Sequence, residues 1–157
     1  MMLQAGDLVG AYRVERQIGS GGMATVYLAN HEKLDRKVAL KVIHPNLLED
    51  QNFKTRFERE AKIIARLDHP NIVPVYDFSE HNGQPYLVMK AIEGQTLKRR
   101  LRGGALPLEE IKGIMHAVAG ALDYAHRQGV LHRDIKPSNI IIDENGTPYL
   151  TDFGLAR

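Results

Sequence analysis

Cysteine is absent from this 157-residue chain. Its absence excludes a disulfide bond, a thiolate zinc site and a cysteine nucleophile, and it fits a reducing compartment. An excess of charge of either sign is also missing, because 21 Lys and Arg residues face 19 Asp and Glu residues. A formal charge of +2 gives no electrostatic reason to expect nucleic acid or an anionic membrane as a partner.

Long apolar runs are missing as well. None approaches the roughly 18 residues that span a bilayer, and the first residues do not resemble a signal peptide. We therefore expect a cytoplasmic protein with no membrane segment in this chain, and an anchor beyond residue 157 stays open. What is present, 43% hydrophobic and 25% charged residues, is typical of a globular protein.

The hydrophobic periodicity changes near residue 95. Before it, short runs typical of β-strands alternate with turn residues, at 12–18, 25–29, 38–43, 73–78 and 86–89. A helix is predicted over 52–67, where apolar residues recur every three or four positions: Phe53, Phe57, Ala61 and Ile64. A second helix is predicted between residues 107 and 129, with one apolar face: Ile111, Ile114, Met115, Val118, Leu122 and Ala125. The change of period predicts a domain boundary at residues 94–96.

The most specific pattern is a pair of neighbouring motifs near the end of the chain. They read His132-Arg133-Asp134-Ile135-Lys136-Pro137-Ser138-Asn139 and Asp152-Phe153-Gly154. The first supplies a candidate base and a cation, and the two together supply oxygen ligands for a metal. A turn rich in Asp, Pro, Ser and Asn explains each residue singly but does not explain their joint order.

These motifs resemble the catalytic loop and the magnesium-binding motif of protein kinases, and the chain is most similar to bacterial serine/threonine kinases of eukaryotic type. The resemblance implies that Asp134 accepts the proton of a substrate hydroxyl and that Lys136 contacts the transferring phosphate. It implies that Asn139 and Asp152 hold Mg²⁺. Tyrosine kinases usually lack a lysine in the register of Lys136, so the implied acceptor is Ser or Thr. His132 and Phe153 are interpreted as packing residues.

Residues 18–27 resemble the glycine-rich loop of the same family, in which backbone N–H groups lie over the phosphates of ATP. The nucleotide-binding residues implied there are Ile18, Gly19, Ser20, Gly21, Gly22 and Val26. A Gly-Ser-Gly-Gly sequence is also a common flexible turn, so the motif alone leaves phosphate binding open. Ala24 departs from the family by replacing its third glycine, a change that a negative φ would tolerate.

A lysine and a glutamate occupy positions that the patterns predict to be buried. Alternation along residues 38–43 places Lys41 among apolar residues, and Glu60 lies on the apolar stripe of the first helix. A buried charge needs a partner. Judged alone, Lys41 could reach water from an edge strand and Glu60 could pair with Arg56. The resemblance implies instead that Glu60 holds Lys41 against the α- and β-phosphates.

Residues 86–94 resemble the hinge that contacts adenine through backbone groups. The resemblance places Met89 beside the adenine pocket and Ala91 among the hinge contacts. It implies that Ala39 and Val26 cover one face of the base, although an ordinary core role fits them equally well.

The implied fold is α+β and protein-kinase-like. It has a five-stranded antiparallel N-lobe sheet with one helix (1–94), followed by the first, mainly helical part of a C-lobe (95–157). The implied function is transfer of the ATP γ-phosphate to Ser or Thr of protein substrates, including the protein itself. The intact family has roughly another 100 residues. We therefore expect residues 1–157 alone to bind nucleotide weakly at best and to phosphorylate little peptide. A non-catalytic ATP-binding or partner-binding module and a nonfunctional fragment are the alternatives.

Overall fold

The computed structural model describes residues 2–154, and for Gln51 it describes only the backbone. Residues 155–157, the end of the predicted C-lobe part, lie outside the described residues. The chain divides into two compact units. The first runs from the N-terminus to Ala61 and adds Val75–Ala91, whereas the second consists of Lys62–Pro74 and the residues from Ile92 onward.

The first unit is built on an antiparallel sheet with the strand order β1-β2-β3-β4-β6-β5. Its strands are β1 (Leu8–Val9), β2 (Tyr12–Ser20), β3 (Ala24–His31), β4 (Arg36–Ile43), β5 (Val75–His81) and β6 (Gln84–Lys90). The five predicted strands are present, and β1 adds a sixth that is too short to give a periodic signal. β5 begins later than predicted because Val73 belongs to the second unit, where its N–H donates to the Leu150 carbonyl at 3.0 Å.

Apolar residues cover both faces of the central strand β4. On one face, alternate residues of β4 join a buried cluster with β2, β3 and β6: Val14, Tyr27, Ala29, Val38, Leu40, Val42, Tyr86 and Val88. The other face meets helix α1 (Gln51–Ile64), whose Phe57 ring lies 5.7 Å from the Phe78 ring on β5. Helix α1 ends at Ile64, three residues earlier than predicted, because the next turn is closed by i to i+3 bonds.

The second unit contains helices α2 (Leu97–Leu101) and α3 (Leu108–Arg127) and a sheet of β7 (Gly94–Thr96), β8 (Ile140–Asp143) and β9 (Pro148–Leu150). Its core lies between α3 and this sheet. The predicted apolar face of α3 is partly wrong, because Ile111 and Met115 are exposed. The buried stripe is narrower, since spacings of four, three and four residues keep one line of the helix inward: Ile114, Val118, Ala121 and Ala125.

Strand β7 occupies the segment for which a domain boundary is predicted. It approaches β8 so closely that a Cβ atom on Gly94 would lie 2.0 Å from the Ile142 carbonyl oxygen. Only glycine allows this pairing without a shift of the backbone. In the described part of the chain, no helix is both long enough and apolar enough to cross a bilayer.

Candidate active site

His132 is buried and links the two motifs of the second unit by hydrogen bonds. Its Nε2 atom lies 2.7 Å from the Thr151 carbonyl oxygen, and its Nδ1 atom accepts the Asp134 N–H at 3.1 Å. A carbonyl oxygen only accepts, so the ring proton is on Nε2 and the imidazole is the neutral tautomer. The ring also packs on Phe153, with centroids 4.6 Å apart. His132 therefore fixes the backbone before Asp134 relative to the backbone before Asp152.

The Asp134 carboxylate is oriented by two side chains. Its Oδ2 atom lies 3.2 Å from Lys136 Nζ and accepts from Asn139 Nδ2 at 3.2 Å. Asn139 Nδ2 also donates to the Asp134 carbonyl at 2.8 Å, and Asn139 is buried. The Asp134 side chain keeps 26% exposure. The contacts with Lys136 and Asn139 thus orient the Asp134 carboxylate, while part of this candidate base faces solvent.

Asn139 and Asp152 lie on adjacent segments, because the Thr151 N–H donates to the Asn139 carbonyl at 3.0 Å. The Asn139 Nδ2 atom is directed at Asp134, so its Oδ1 atom is on the opposite branch of the amide. One amide oxygen and one carboxylate are the donor types that Mg²⁺ prefers, and Mg²⁺ usually takes one or two protein carboxylates with phosphates and water. The donor chemistry of this pair fits magnesium.

The backbone around these side chains is strained. Arg133 and Asp152 have φ values of +67° and +56°, in the left-handed region that L-residues avoid. The Gly154 N–H donates to the His132 carbonyl at 2.7 Å, and a Cβ on Gly154 would lie 2.8 Å from that oxygen. Surrounding contacts must hold these conformations, because isolated chains seldom adopt them.

In the first unit, four of the predicted nucleotide-binding residues share one face of the sheet. Val26 on β3 lies directly opposite Lys41 on β4, and Ala39 lies opposite Met89 on β6. Directly opposed residues, and residues two apart on one strand, point to the same side. Lys41 is half-buried there, next to the buried Ala39 and Met89. The structure thus brings these four side chains together.

Helix α1 covers the same face of the sheet. Phe57 of α1 contacts Phe78, Phe78 lies opposite Leu87, and Leu87 lies opposite Lys41. Glu60 follows Phe57 by one helical turn and is half-buried. The packing therefore puts Glu60 and Lys41 on the same side of the sheet.

Arg56, the other residue with which Glu60 could pair, forms an ion pair with Asp50. Arg56 Nη2 donates to Asp50 Oδ2 at 3.1 Å, on the exposed side of the helix.

Two further residues that are predicted to bind nucleotide lie at the ends of strands. Ile18 is exposed near the end of β2, and Ala91 is half-buried just after β6.

The glycine-rich segment forms a tight hairpin turn between β2 and β3. Ser20 pairs with Thr25, and the Gly21 N–H donates to the Ala24 carbonyl at 2.9 Å. A Cβ on Gly21 or Gly22 would meet no atom within 4 Å. Ala24 is buried and is not among the described residues with positive φ, so its methyl group is accommodated.

A family model described as a protein kinase domain matches residues 12–157. The chain belongs to the protein kinase family. This membership and the fold confirm the predicted kinase-like architecture.

Curated relatives of this kinase chain include two bacterial enzymes. Serine/threonine-protein kinase PknJ of Mycobacterium tuberculosis is 43% identical over 99% of the chain and 27% of the relative. Serine/threonine-protein kinase PrkC of Bacillus subtilis is 45% identical over 99% of the chain and 24% of the relative. The chain therefore spans about a quarter of the length of these relatives.

Solved structures with the same fold include the PknI kinase domain of M. tuberculosis, with a TM-score of 0.88 and 40% identity. The match covers 99% of this chain and 62% of that one. A structure described as the PpkA-294 apo form has a TM-score of 0.89 and 30% identity, covering 99% of this chain and 63% of the other.

Two features of the candidate site are not apparent from the sequence. The sequence predicts a packing role for His132, and the side chain also makes two hydrogen bonds to backbone atoms. Because the partners are backbone atoms, the types of the neighbouring residues do not predict these hydrogen bonds. The contact of Thr25 with His44 beside the glycine-rich turn is not apparent either. The one signal in the sequence is that Thr25 lies between the apolar residues Ala24 and Val26.

Proposed function

We propose that this chain carries the ATP-binding and catalytic-loop parts of a serine/threonine protein kinase, which transfers the γ-phosphate of ATP to Ser or Thr hydroxyls. The observation that carries the proposal is the orientation of the Asp134 carboxylate by Lys136 and Asn139. A carboxylate held in this way accepts the hydroxyl proton and orients the attacking oxygen. Lys136, 3.2 Å from that carboxylate, supplies positive charge for the phosphate that is transferred.

The first unit supplies nucleotide binding in this proposal. Lys41 binds the α- and β-phosphates and Glu60 keeps it in position. The backbone of the glycine-rich turn covers the phosphates, and the room around Gly21 and Gly22 supports this role because packing does not require glycine there. Ala39, Val26 and Met89 line the adenine site, with Ile18 at its rim and Ala91 at the hinge.

Asn139 and Asp152 hold magnesium in this proposal. The ion offsets negative charge on the β- and γ-phosphates when it is bound. The chain contributes the oxygen ligands, and Asn139 also links the ligand set to Asp134 through its Nδ2 atom. Loss of Asn139 therefore affects both metal binding and the position of the base, whereas loss of Asp152 affects metal binding.

The proposed organisation assigns residues 1–94 to the N-lobe with the hinge and residues 95–157 to part of the C-lobe. The proposed substrates are proteins with Ser or Thr acceptors, including the enzyme itself, in the cytoplasm. The lysine at 136 and the names of the relatives, which are serine/threonine-protein kinases, support this acceptor class.

The test is the activity of the longest product of the reading frame that contains this chain. Lys41→Met and Asp152→Asn are each expected to lower Mg-dependent incorporation of labelled γ-phosphate by at least about a thousandfold, because they remove phosphate and metal binding. Lys33→Met is the control, since Lys33 is an exposed lysine in the same unit. Undiminished incorporation in both site variants would contradict the kinase assignment.

A non-catalytic nucleotide-binding module is the second candidate, because the sheet face that carries Ala39, Lys41 and Met89 could bind a nucleotide without phosphate transfer. A thermal-shift titration of the 157-residue chain with Mg-ATP separates it from a nonfunctional fragment, because a ligand that binds the native state raises its stability. A rise in Tm without phosphate transfer by the longest product identifies the module. The absence of any shift, together with aggregation, identifies the fragment.

A further inference from the structure

Thr25 and His44 form a contact beside the glycine-rich turn. The Thr25 Oγ1 and His44 Nε2 atoms are 3.0 Å apart, within hydrogen-bonding distance. Thr25 is only 8% exposed, so its hydroxyl needs a partner within the protein. The imidazole of His44, the residue that follows β4, provides that partner.

This pair lies on the face of the sheet opposite the predicted nucleotide face. Thr25 is paired in register with Val42, and Val42 belongs to the buried cluster that includes Leu40 and Tyr27. Lys41 is the next residue after Leu40 and points to the other side. A role in contacting the nucleotide is therefore excluded for Thr25, whereas a role in shaping the strand that returns from the turn is favoured.

Further contacts connect His44 with the turn itself. The His44 N–H donates to the Met23 carbonyl at 2.9 Å, and Gln84 Nε2 donates to the Ile43 carbonyl at 3.1 Å. Met23 directly follows the open glycines, and β6 anchors the end of β4 through Gln84. The residues that return from the turn are thus tied at two atoms of His44.

The tip of the turn and its returning arm differ in burial. Gly21 and Gly22 are exposed and a side chain on either would meet no atom within 4 Å. Ala24 and Thr25 are buried on the returning arm. Within residues 21–25, the buried residues that can restrain the turn are therefore those of the returning arm.

We propose that Thr25 and His44 act as a positioning pair that holds the returning arm of the glycine-rich turn. The consequence for ATP rests on the proposed kinase function, whereas the effect on the turn does not. The pair shapes the turn from behind, so it changes how well phosphates are bound without touching them.

Amide hydrogen exchange of the 157-residue chain tests the effect on the turn. Thr25→Val keeps the shape of the side chain and removes the hydroxyl, and His44→Leu removes the imidazole. Each is expected to speed exchange at residues 21–24 and at position 44 by roughly tenfold. Thr25→Ser keeps the hydroxyl and is expected to keep the slow exchange of the unsubstituted chain. Thr55→Val serves as the control because Thr55 is exposed on α1. Unchanged exchange in Thr25→Val would overturn the proposal.

Nucleotide titrations test the consequence for phosphate binding. Thr25→Val is expected to weaken Mg-ATP binding by roughly three- to tenfold and to leave adenosine binding unchanged, because only the phosphates face the turn. Equal weakening of both ligands would mean general destabilisation and would overturn the positioning role. If the unsubstituted chain binds no Mg-ATP, the proposed function of this chain fails, and hydrogen exchange still decides whether the pair holds the turn.

Discussion

The glycine-rich turn and the catalytic segment place their glycines in opposite surroundings. Around Gly21 and Gly22 an added Cβ would meet no atom within 4 Å, whereas on Gly154 it would lie 2.8 Å from the His132 carbonyl oxygen and 3.1 Å from Arg133 Cβ. The catalytic segment is therefore shaped by the packing of the protein itself. The turn is shaped by one hairpin bond and by the contacts behind it, and it leaves space above its backbone.

The polar side chains of the two regions differ in the same way. In the catalytic segment His132 and Asn139 are buried, and each bonds to more than one neighbouring atom. Where β2 enters the turn, Ser20 is exposed, and the buried Thr25 on the returning arm has one side-chain partner, His44. A preformed catalytic segment and a loosely held turn are expected to respond differently to substitution, and three variants sharpen this contrast.

The largest effect on stability is expected for His132→Phe. The new ring fills the buried space, but the Thr151 carbonyl and the Asp134 N–H lose their partner, and we expect a loss of about 3 kcal/mol in the free energy of unfolding. Urea unfolding of the 157-residue chain measures it. His116→Phe is the matched control, because His116 is exposed on α3 and its substitution is expected to change stability by less than about 0.5 kcal/mol. Equal values for the two variants would contradict the connecting role of His132.

A smaller loss is expected for Gly154→Ala. The methyl group would require a shift of the His132 carbonyl or of Gly154, and we expect a destabilisation of about 2 kcal/mol. Thermal unfolding measures this loss. A Tm equal to that of the unsubstituted chain would show that the segment is more compliant than its close contacts indicate.

The smallest effect, with the opposite sign, is expected for Gly21→Ala. Gly21 does not have positive φ and has room for a methyl group, so the substitution restricts the unfolded chain and stabilises the protein by up to about 1 kcal/mol. The same unfolding measurement checks it. A loss larger than about 1 kcal/mol would remove the contrast between the turn and the catalytic segment.

Much of the first unit was predictable from the sequence. Alternating apolar residues along β4 predicted both its existence and the burial of its two faces, and the stripe through Phe53 and Phe57 predicted α1. The order of the kinase motifs predicted the family. The nucleotide and metal roles of the individual site residues stay predictions until the variants above are measured.

Short elements were not predictable, for a physical reason. β1 has two residues and β7 has three, so neither repeats the two-residue alternation of side chains often enough to give a periodic signal. β7 depends on the close approach that Gly94 permits to Ile142, a contact between residues nearly fifty positions apart. On α3, periodicity placed Met115 on the buried face, but the width of that face is set by the neighbouring sheet, which local pattern does not encode.

The left-handed backbone at Asp152 sets a conflict between folding and activity. At φ +56° glycine fits more easily than aspartate, so a library of variants selected only for thermal endurance would be enriched in glycine at this position. Those survivors would lack the carboxylate proposed to bind magnesium. Stabilising this protein by directed evolution therefore requires selecting for catalysis at the same time, or keeping residue 152 constant.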